Sequence, residues 1–269
     1  SRYIIVANDR KEQKYEIFKI RNSGGGHFLS YWQLRSASSK YLKGFTLAEV
    51  LVTLGIIGVV SAMTVPTLMQ NHQRKTYVTQ LHKVYNELNQ AFRQFKNDNN
   101  ALTLLESGLS NQAAVNNFLR TYFKTVTICD TLEEPCVYDA KYKNLNGVTL
   151  VNNWWPDVNC AVLASGASVC IEAFHNDKVN GIKYGHIFID INGLKGPNIA
   201  GRDAYAVVYY EDGTIDEEGV VPSCNAMKEC TVASNASTLR DEKFAQCRSN
   251  TIFKGCFGKI LNDNWEMTY

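Results

Sequence analysis

The chain has 269 residues, 45% apolar and 11% aromatic, which is enough to bury one sizeable core or two modest ones and excludes general disorder. Its formal net charge of +2 is unevenly spread: residues 1–44 hold nine of the 28 Lys/Arg and three of the 26 Asp/Glu, leaving 19 against 23 beyond Gly44. A basic segment, an apolar run and a mildly acidic body read as a cytoplasmic flank, a membrane segment and an exported domain, and not as a nucleic-acid binder.

Residues 1–44 read as a leader or upstream segment on the cytoplasmic side. The first methionine is Met63, so residue 1 is not expected to be the natural start. The alternation in "SRYIIVANDRKEQKYEIFKI" is compatible with strands, and Gly24-Gly25-Gly26 lacks the flanking strand and helix of a phosphate loop.

From Phe45 to Gln73 the only formally charged side chain is Glu49, and Phe45–Leu68 gives 24 residues, as a helix ~36 Å long and enough to span the hydrocarbon core. A cleaved secretory signal would be shorter and would end at a small-residue site, whereas this run passes straight into an amphipathic segment. The chain is therefore expected to stay anchored. A carboxylate inside a membrane helix costs about 2–3 kcal/mol on insertion scales. One explanation places Glu49 a turn from the interface, where it reaches water and the positive end of the helix.

Lys43-Gly44-Phe45-Thr46-Leu47-x-Glu49, followed by Val50, Leu51, Leu54, Gly55, Ile56, Ile57, Gly58, Val59 and Pro66, closely resembles the N-terminal signature of type IV pilins and type II secretion pseudopilins. The resemblance implies that prepilin peptidase cuts between Gly44 and Phe45 and methylates the new amine. It gives Glu49 a partner, the Phe45 amine of a neighbouring subunit, and two buried charges cost less together than apart. Phe45, Glu49 and Pro66 would then be assembly residues. Gly55, Gly58 and Pro66 would mark a zone that bends or unwinds as the helix leaves the bilayer, although membrane helices tolerate both residue types for packing alone. Implied partners are prepilin peptidase, other pilin or pseudopilin subunits in a homo- or hetero-filament, and an inner-membrane assembly platform. The implied location is the bacterial inner membrane, single-pass with a cytoplasmic N-terminus and a periplasmic C-terminal domain, and later a periplasmic or cell-surface filament.

Residues 69–98 continue the helix, with Tyr77, Leu81, Val84, Tyr85, Leu88, Ala91, Phe92 and Phe95 in steps of three and four that define one stripe, and "KNDNN" ending it. A free coiled coil is the competing arrangement, with only about three heptads available. In residues 99–269 a short helix is expected around Gln112–Lys124, with Val115, Phe118, Leu119 and Tyr122 on one side. "CAVLASGASVCIEAF" reads as a hairpin, and "YGHIFIDI" and "AYAVVYYEDGTI" supply further strands with an Asp212-Gly213 turn. The expected fold is α+β: a long N-terminal helix packed on a small antiparallel sheet.

The eight cysteines, Cys129, Cys136, Cys160, Cys170, Cys224, Cys230, Cys247 and Cys256, all lie beyond the apolar run, which suits an oxidising compartment. Four nearest-neighbour disulfides are expected; a thiolate metal site would want a C-x-x-C that is absent. Between the strands, Asp190, Asn192, Asn198 and Asp203 are hard oxygen donors in a Gly- and Pro-rich loop, the type calcium prefers, but the spacing is not an EF-hand. Two explanations stay open: a loop turned by Asx hydrogen bonds, or a calcium site such as some pseudopilins carry in their sheet loops. In the tail, Ile260, Leu261, Trp265 and Met267 are expected to dock on the domain.

No catalytic residues are expected. The five histidines are scattered and no G-x-S-x-G, H-E-x-x-H or P-loop occurs. Glu172 and His175 would share a helix face, but on a strand they are expected to point to opposite sides. A structural filament subunit is therefore expected, cleaved and N-methylated. The alternative is a membrane-tethered periplasmic binding or enzymatic domain with an uncleaved anchor.

Overall fold

Period-two runs bounded by Gly, Asn and Asp follow a long helical stripe in this sequence, and the backbone divides accordingly. The computed structural model describes residues 3–7, 15–19, 45–137, 142–150, 157–175, 178–225, 229–249 and 253–269. They fall into two units, Ser1–Met63 and Thr64–Tyr269.

In the first unit β1 (Tyr3–Ala7) and β2 (Tyr15–Lys19) pair antiparallel, Tyr3 opposite Lys19 and Ala7 opposite Tyr15. Helix α1 (Leu47–Asp98) begins here and is long and apolar enough to cross a membrane. Its apolar side chains are bare, with Leu51, Ile56, Ile57 and Val59 all exposed. Lone exposed apolar residues are ordinary, but a continuous sleeve of them belongs to a surface that lipid or another chain covers.

In the second unit α1 becomes amphipathic, and Val78, Leu81, Val84, Leu88, Ala91, Phe92 and Phe95 are buried at helical spacing. Asn100 at φ +48° follows the last turn, and the Lys96 ammonium donates to the Asp212 carbonyl at 2.5 Å, fixing the helix end to a sheet turn. The short α2 (Gln112–Tyr122) is capped by Asn111, whose side chain accepts from the Ala114 N–H, and buries Val115, Phe118 and Leu119.

The sheet is antiparallel throughout. Strands β3 (Thr125–Cys129), β4 (Val158–Leu163), β5 (Ser168–Glu172), β7 (Ile182–Asp190), β8 (Ala204–Tyr210) and β9 (Ile215–Asp216) lie side by side in that order, and the two-residue β6 (Lys178–Val179) pairs with β7. The connections use glycine where the turn needs positive φ, Gly166 at +87° between β4 and β5 and Gly213 at +95° between β8 and β9. One sheet face meets α1 and α2: Phe92 stacks 5.5 Å from Phe118 and 5.4 Å from Tyr209, and Phe95 meets Phe118 edge-on at 5.2 Å. The opposite face carries a separate small cluster of Ile182, Val208, Tyr210 and Val221.

The tail contains more helix than its sequence pattern suggests. After the β10 (Ser223–Cys224) and β11 (Cys230–Thr231) hairpin come α3 (Ala236–Ser249) and α4 (Phe257–Asn262). Helix α3 buries only Ala236 and Cys247, so it has no apolar stripe to betray it. It is held instead by polar contacts: Arg240 grips Asp216 with Nε at 2.8 Å and Nη2 at 2.5 Å. The buried Glu217 carboxylate accepts the backbone N–H groups of Gly255 (2.8 Å), Phe257 and Gly258 (both 3.0 Å), so a remote side chain satisfies the open start of α4. Burial pushes the Glu217 carboxyl upward in pKa while the N–H groups of Gly258 and Gly255 oppose the shift. Ile260 and Met267 are buried, Leu261 is partly so, and Trp265 stacks 4.1 Å from His82 of α1.

The cysteines pair as neighbours: Cys129–Cys136, Cys160–Cys170, Cys224–Cys230 and Cys247–Cys256. Each bridge closes a loop of ten residues or fewer in sequence separation.

Replacing Glu217 with Ala strands three buried N–H donors. It is expected to destabilise the domain by about 3 kcal/mol, read from the denaturant midpoint with Glu217→Gln as a milder companion.

Candidate functional site

The apolar helix starts at a local hydrogen-bonded unit. Thr46 is not helical, but its carbonyl accepts the first helical bond, from the Val50 N–H at 3.1 Å. Its hydroxyl accepts the Glu49 N–H at 3.2 Å, while the Thr46 N–H and hydroxyl both donate to Glu49 Oε2, at 2.8 and 2.9 Å. This is a reciprocal capping box, and Thr46-x-x-Glu49 is its sequence signal, which a search for membrane and processing features alone passes over. Glu49 therefore has a role inside its own chain before any neighbour is considered. Among the described residues, and apart from the adjacent helix backbone, no atom lies within 4 Å of a Cβ added at Gly55 or Gly58, so no contact among them requires glycine there. Pro66 lies inside the helix at an exposed position. Gly44 lies outside the described residues.

Residues 40–65 match the family model for the prokaryotic N-terminal methylation motif. The start of α1 carries the type IV pilin and pseudopilin signature. No curated protein and no solved structure matches the chain. The pilin-type signature thus stands on a long N-terminal helix followed by an antiparallel sheet domain with four cysteine pairs, an α+β arrangement.

A second candidate lies in the loop between β7 and β8, where all four oxygen-bearing residues named from the sequence gather. Asp190 Oδ1 accepts the Asn192 N–H at 3.1 Å and Oδ2 accepts the Tyr142 hydroxyl at 2.7 Å. Asp203 Oδ1 accepts the Ile199 N–H at 2.6 Å, and Oδ2 accepts the Asn198 N–H at 2.8 Å and the Asn192 amide at 3.4 Å. Asx hydrogen bonds therefore turn the loop. They leave two acceptors over: the buried Asn192 and Asn198 Oδ1 atoms meet no donor among the described residues. An all-oxygen set with two carboxylates and two orphaned amide oxygens fits a hard cation by chemistry. Burial, reinforced by the charge of Asp203, pushes Asp190 up to about 7, against the opposing hydrogen bonds from Tyr142 and Asn192.

A third grouping corrects the sequence analysis. Glu172 and His175 do not point to opposite sides: His175 Nε2 lies 3.0 Å from Glu172 Oε2, and His186 Nδ1 joins them at 2.7 Å from the same oxygen. Strand β5 ends at Glu172, so the period-two rule stops there, and the His175 N–H donates instead to the Tyr184 carbonyl of β7 at 2.9 Å. Glu172 sits one step beyond the Ile171 and Ile187 pair, which brings it against His186. The missed signal was the pairing of β5 with β7, which no local spacing encodes.

Asp190 gives a pH prediction. Its folded value of about 7 exceeds the ordinary 3.8, so between the two the native state keeps a proton that the unfolded chain has lost. In chelator, its contribution to stability is complete below about pH 4 and is lost as pH rises through about 7. Asp190→Asn is expected to flatten that slope in melting temperature.

Proposed function

We propose that this chain is a prepilin-like structural subunit, cut between Gly44 and Phe45 and methylated on the Phe45 amine by a prepilin peptidase, that assembles into a type IV pilus or a type II secretion pseudopilus. The supporting observation is the methylation motif over residues 40–65, which runs into the start of a helix whose apolar side chains are exposed. The cytoplasmic flank, the bilayer and then the periplasm or cell surface follow as locations, with other pilin-type subunits and an inner-membrane platform as partners.

The chemistry of assembly starts at the capping box. Cleavage creates an amine one residue before Thr46, whose N–H already holds the Glu49 carboxylate. Because Glu49 is fixed at the helix start, presenting it to the Phe45 amine of a neighbour costs little side-chain ordering. The ion pair then registers one subunit against the next, since either charge left alone in an apolar filament core would be expensive.

The loop from Asp190 to Asp203 is proposed to bind calcium through Asp190, Asn192, Asn198 and Asp203, supported by the two orphaned amide oxygens. Chelator is expected to lower the melting temperature and Asp190→Ala to abolish that effect; an unchanged melting curve in chelator removes the calcium site.

Intact-mass measurement and N-terminal sequencing of the membrane-extracted protein are expected to find a chain starting at N-methylated Phe45. A chain unprocessed at that bond would instead fit a tethered periplasmic domain. Glu49→Ala is expected to insert and be cleaved but to enter filaments poorly, by about tenfold or more if one buried charge is left unpaired; normal incorporation would overturn the role given to Glu49.

A further inference from the structure

The outer sheet face, turned away from α1, holds three ligand atoms in contact. Glu172 Oε2, His175 Nε2 and His186 Nδ1 form a triangle with edges of 3.0 Å (Glu172 to His175), 2.7 Å (Glu172 to His186) and 3.0 Å (His175 to His186). With the carboxylate ionised, no placement of ring protons satisfies all three edges. If both nitrogens donate to the carboxylate, two N–H groups crowd each other 3.0 Å apart. If one is left unprotonated, its lone pair faces the carboxylate oxygen. A cation bound to all three atoms removes both conflicts, because every lone pair then points at positive charge.

We propose that Glu172, His175 and His186 form a binding site for a divalent transition-metal ion of zinc type, with a further coordination position open to solvent. Two imidazoles and one carboxylate are a borderline-soft donor set, which selects zinc-like ions over calcium, and His₂Glu with an open position is a known three-ligand arrangement for zinc. A tetrahedral ion with bonds of about 2.0–2.1 Å holds its ligand atoms about 3.3 Å apart, so the triangle needs only a small outward shift of the rings. The opening lies toward His175, whose side chain is 32% exposed while those of Glu172 and His186 are each 14% exposed.

Neighbouring groups hold two of the three ligand residues from outside. The His175 ring stacks on Tyr184 at 4.9 Å, and the His175 backbone N–H donates to the Tyr184 carbonyl at 2.9 Å. The Tyr209 hydroxyl donates to the Glu172 carbonyl at 2.7 Å. That contact requires Gly185, since a Cβ there would fall 2.5 Å from the Tyr209 ring. The ligands thus come from the end of β5, the segment after it and the middle of β7, and the sheet register together with the His175 backbone bond to Tyr184 holds them together before any ion arrives.

The proposal does not depend on the filament function and is tested apart from it. The full chain in detergent, stripped with chelator and dialysed, is titrated with ZnCl₂ by calorimetry, and the cobalt form is examined for the absorption bands of low-coordinate Co²⁺. One equivalent of Zn²⁺ is expected, with a raised melting temperature, and His175→Ala and His186→Ala are each expected to lose both; Glu172→Gln should weaken binding. Circular dichroism confirms that each variant keeps its sheet, and His175→Ala, at the most exposed ligand, decides if His186→Ala unfolds. Absence of stoichiometric binding by the unmodified chain, or binding retained by folded His175→Ala, would overturn the site.

Discussion

Phe92 is where the second unit is joined. Its ring lies between Phe118 of α2 and Tyr209 of β8, and Tyr209 in turn crosses β7 over Gly185 to reach the Glu172 carbonyl. A helix face that buries Leu81, Leu88, Phe92 and Phe95 contributes to closing the domain, on the order of 2 kcal/mol for each large side chain removed from water. That face fixes which side of the sheet is core. The other side is then left for the small Ile182 and Tyr210 cluster and for the Glu172, His175 and His186 group.

The same helix carries two different surfaces, one apolar and exposed, the other amphipathic with a buried stripe. From Val78 its stripe is buried against its own domain, whereas in the first unit Leu51, Ile56, Ile57 and Val59 are exposed. The polar exception, Glu49, is tethered to Thr46 at the helix's first turn, where helix N–H groups are still free to receive it.

Elements with a strong local period were legible in the sequence. The stripe from Leu81 to Phe95, the α2 face of Val115, Phe118 and Leu119, the hairpin around Gly166 and the Asp212-Gly213 turn each follow from spacing of 3.6 or 2 and from turn chemistry. Helix α3 was not legible, because its anchor is the Arg240 grip on Asp216 across 24 residues rather than an apolar face. The Asx-bonded loop was half legible: the donors could be named, but only the fold shows that Asp203 takes the N–H groups of Asn198 and Ile199 and that two amide oxygens are left over.

By itself the sequence determined the methylation motif, the apolar span, the amphipathic stripe and the cysteine pairs, because each is written in one contiguous or locally periodic stretch of chain. Only the tertiary structure decided which remote groups share a site. Glu172 and His186 are 14 residues apart and meet because β5 runs antiparallel to β7, and Glu217 meets the start of α4 across 40 residues because the tail folds back. Register and chain reversal are cooperative outcomes of burying the helix face, and no local pattern carries them.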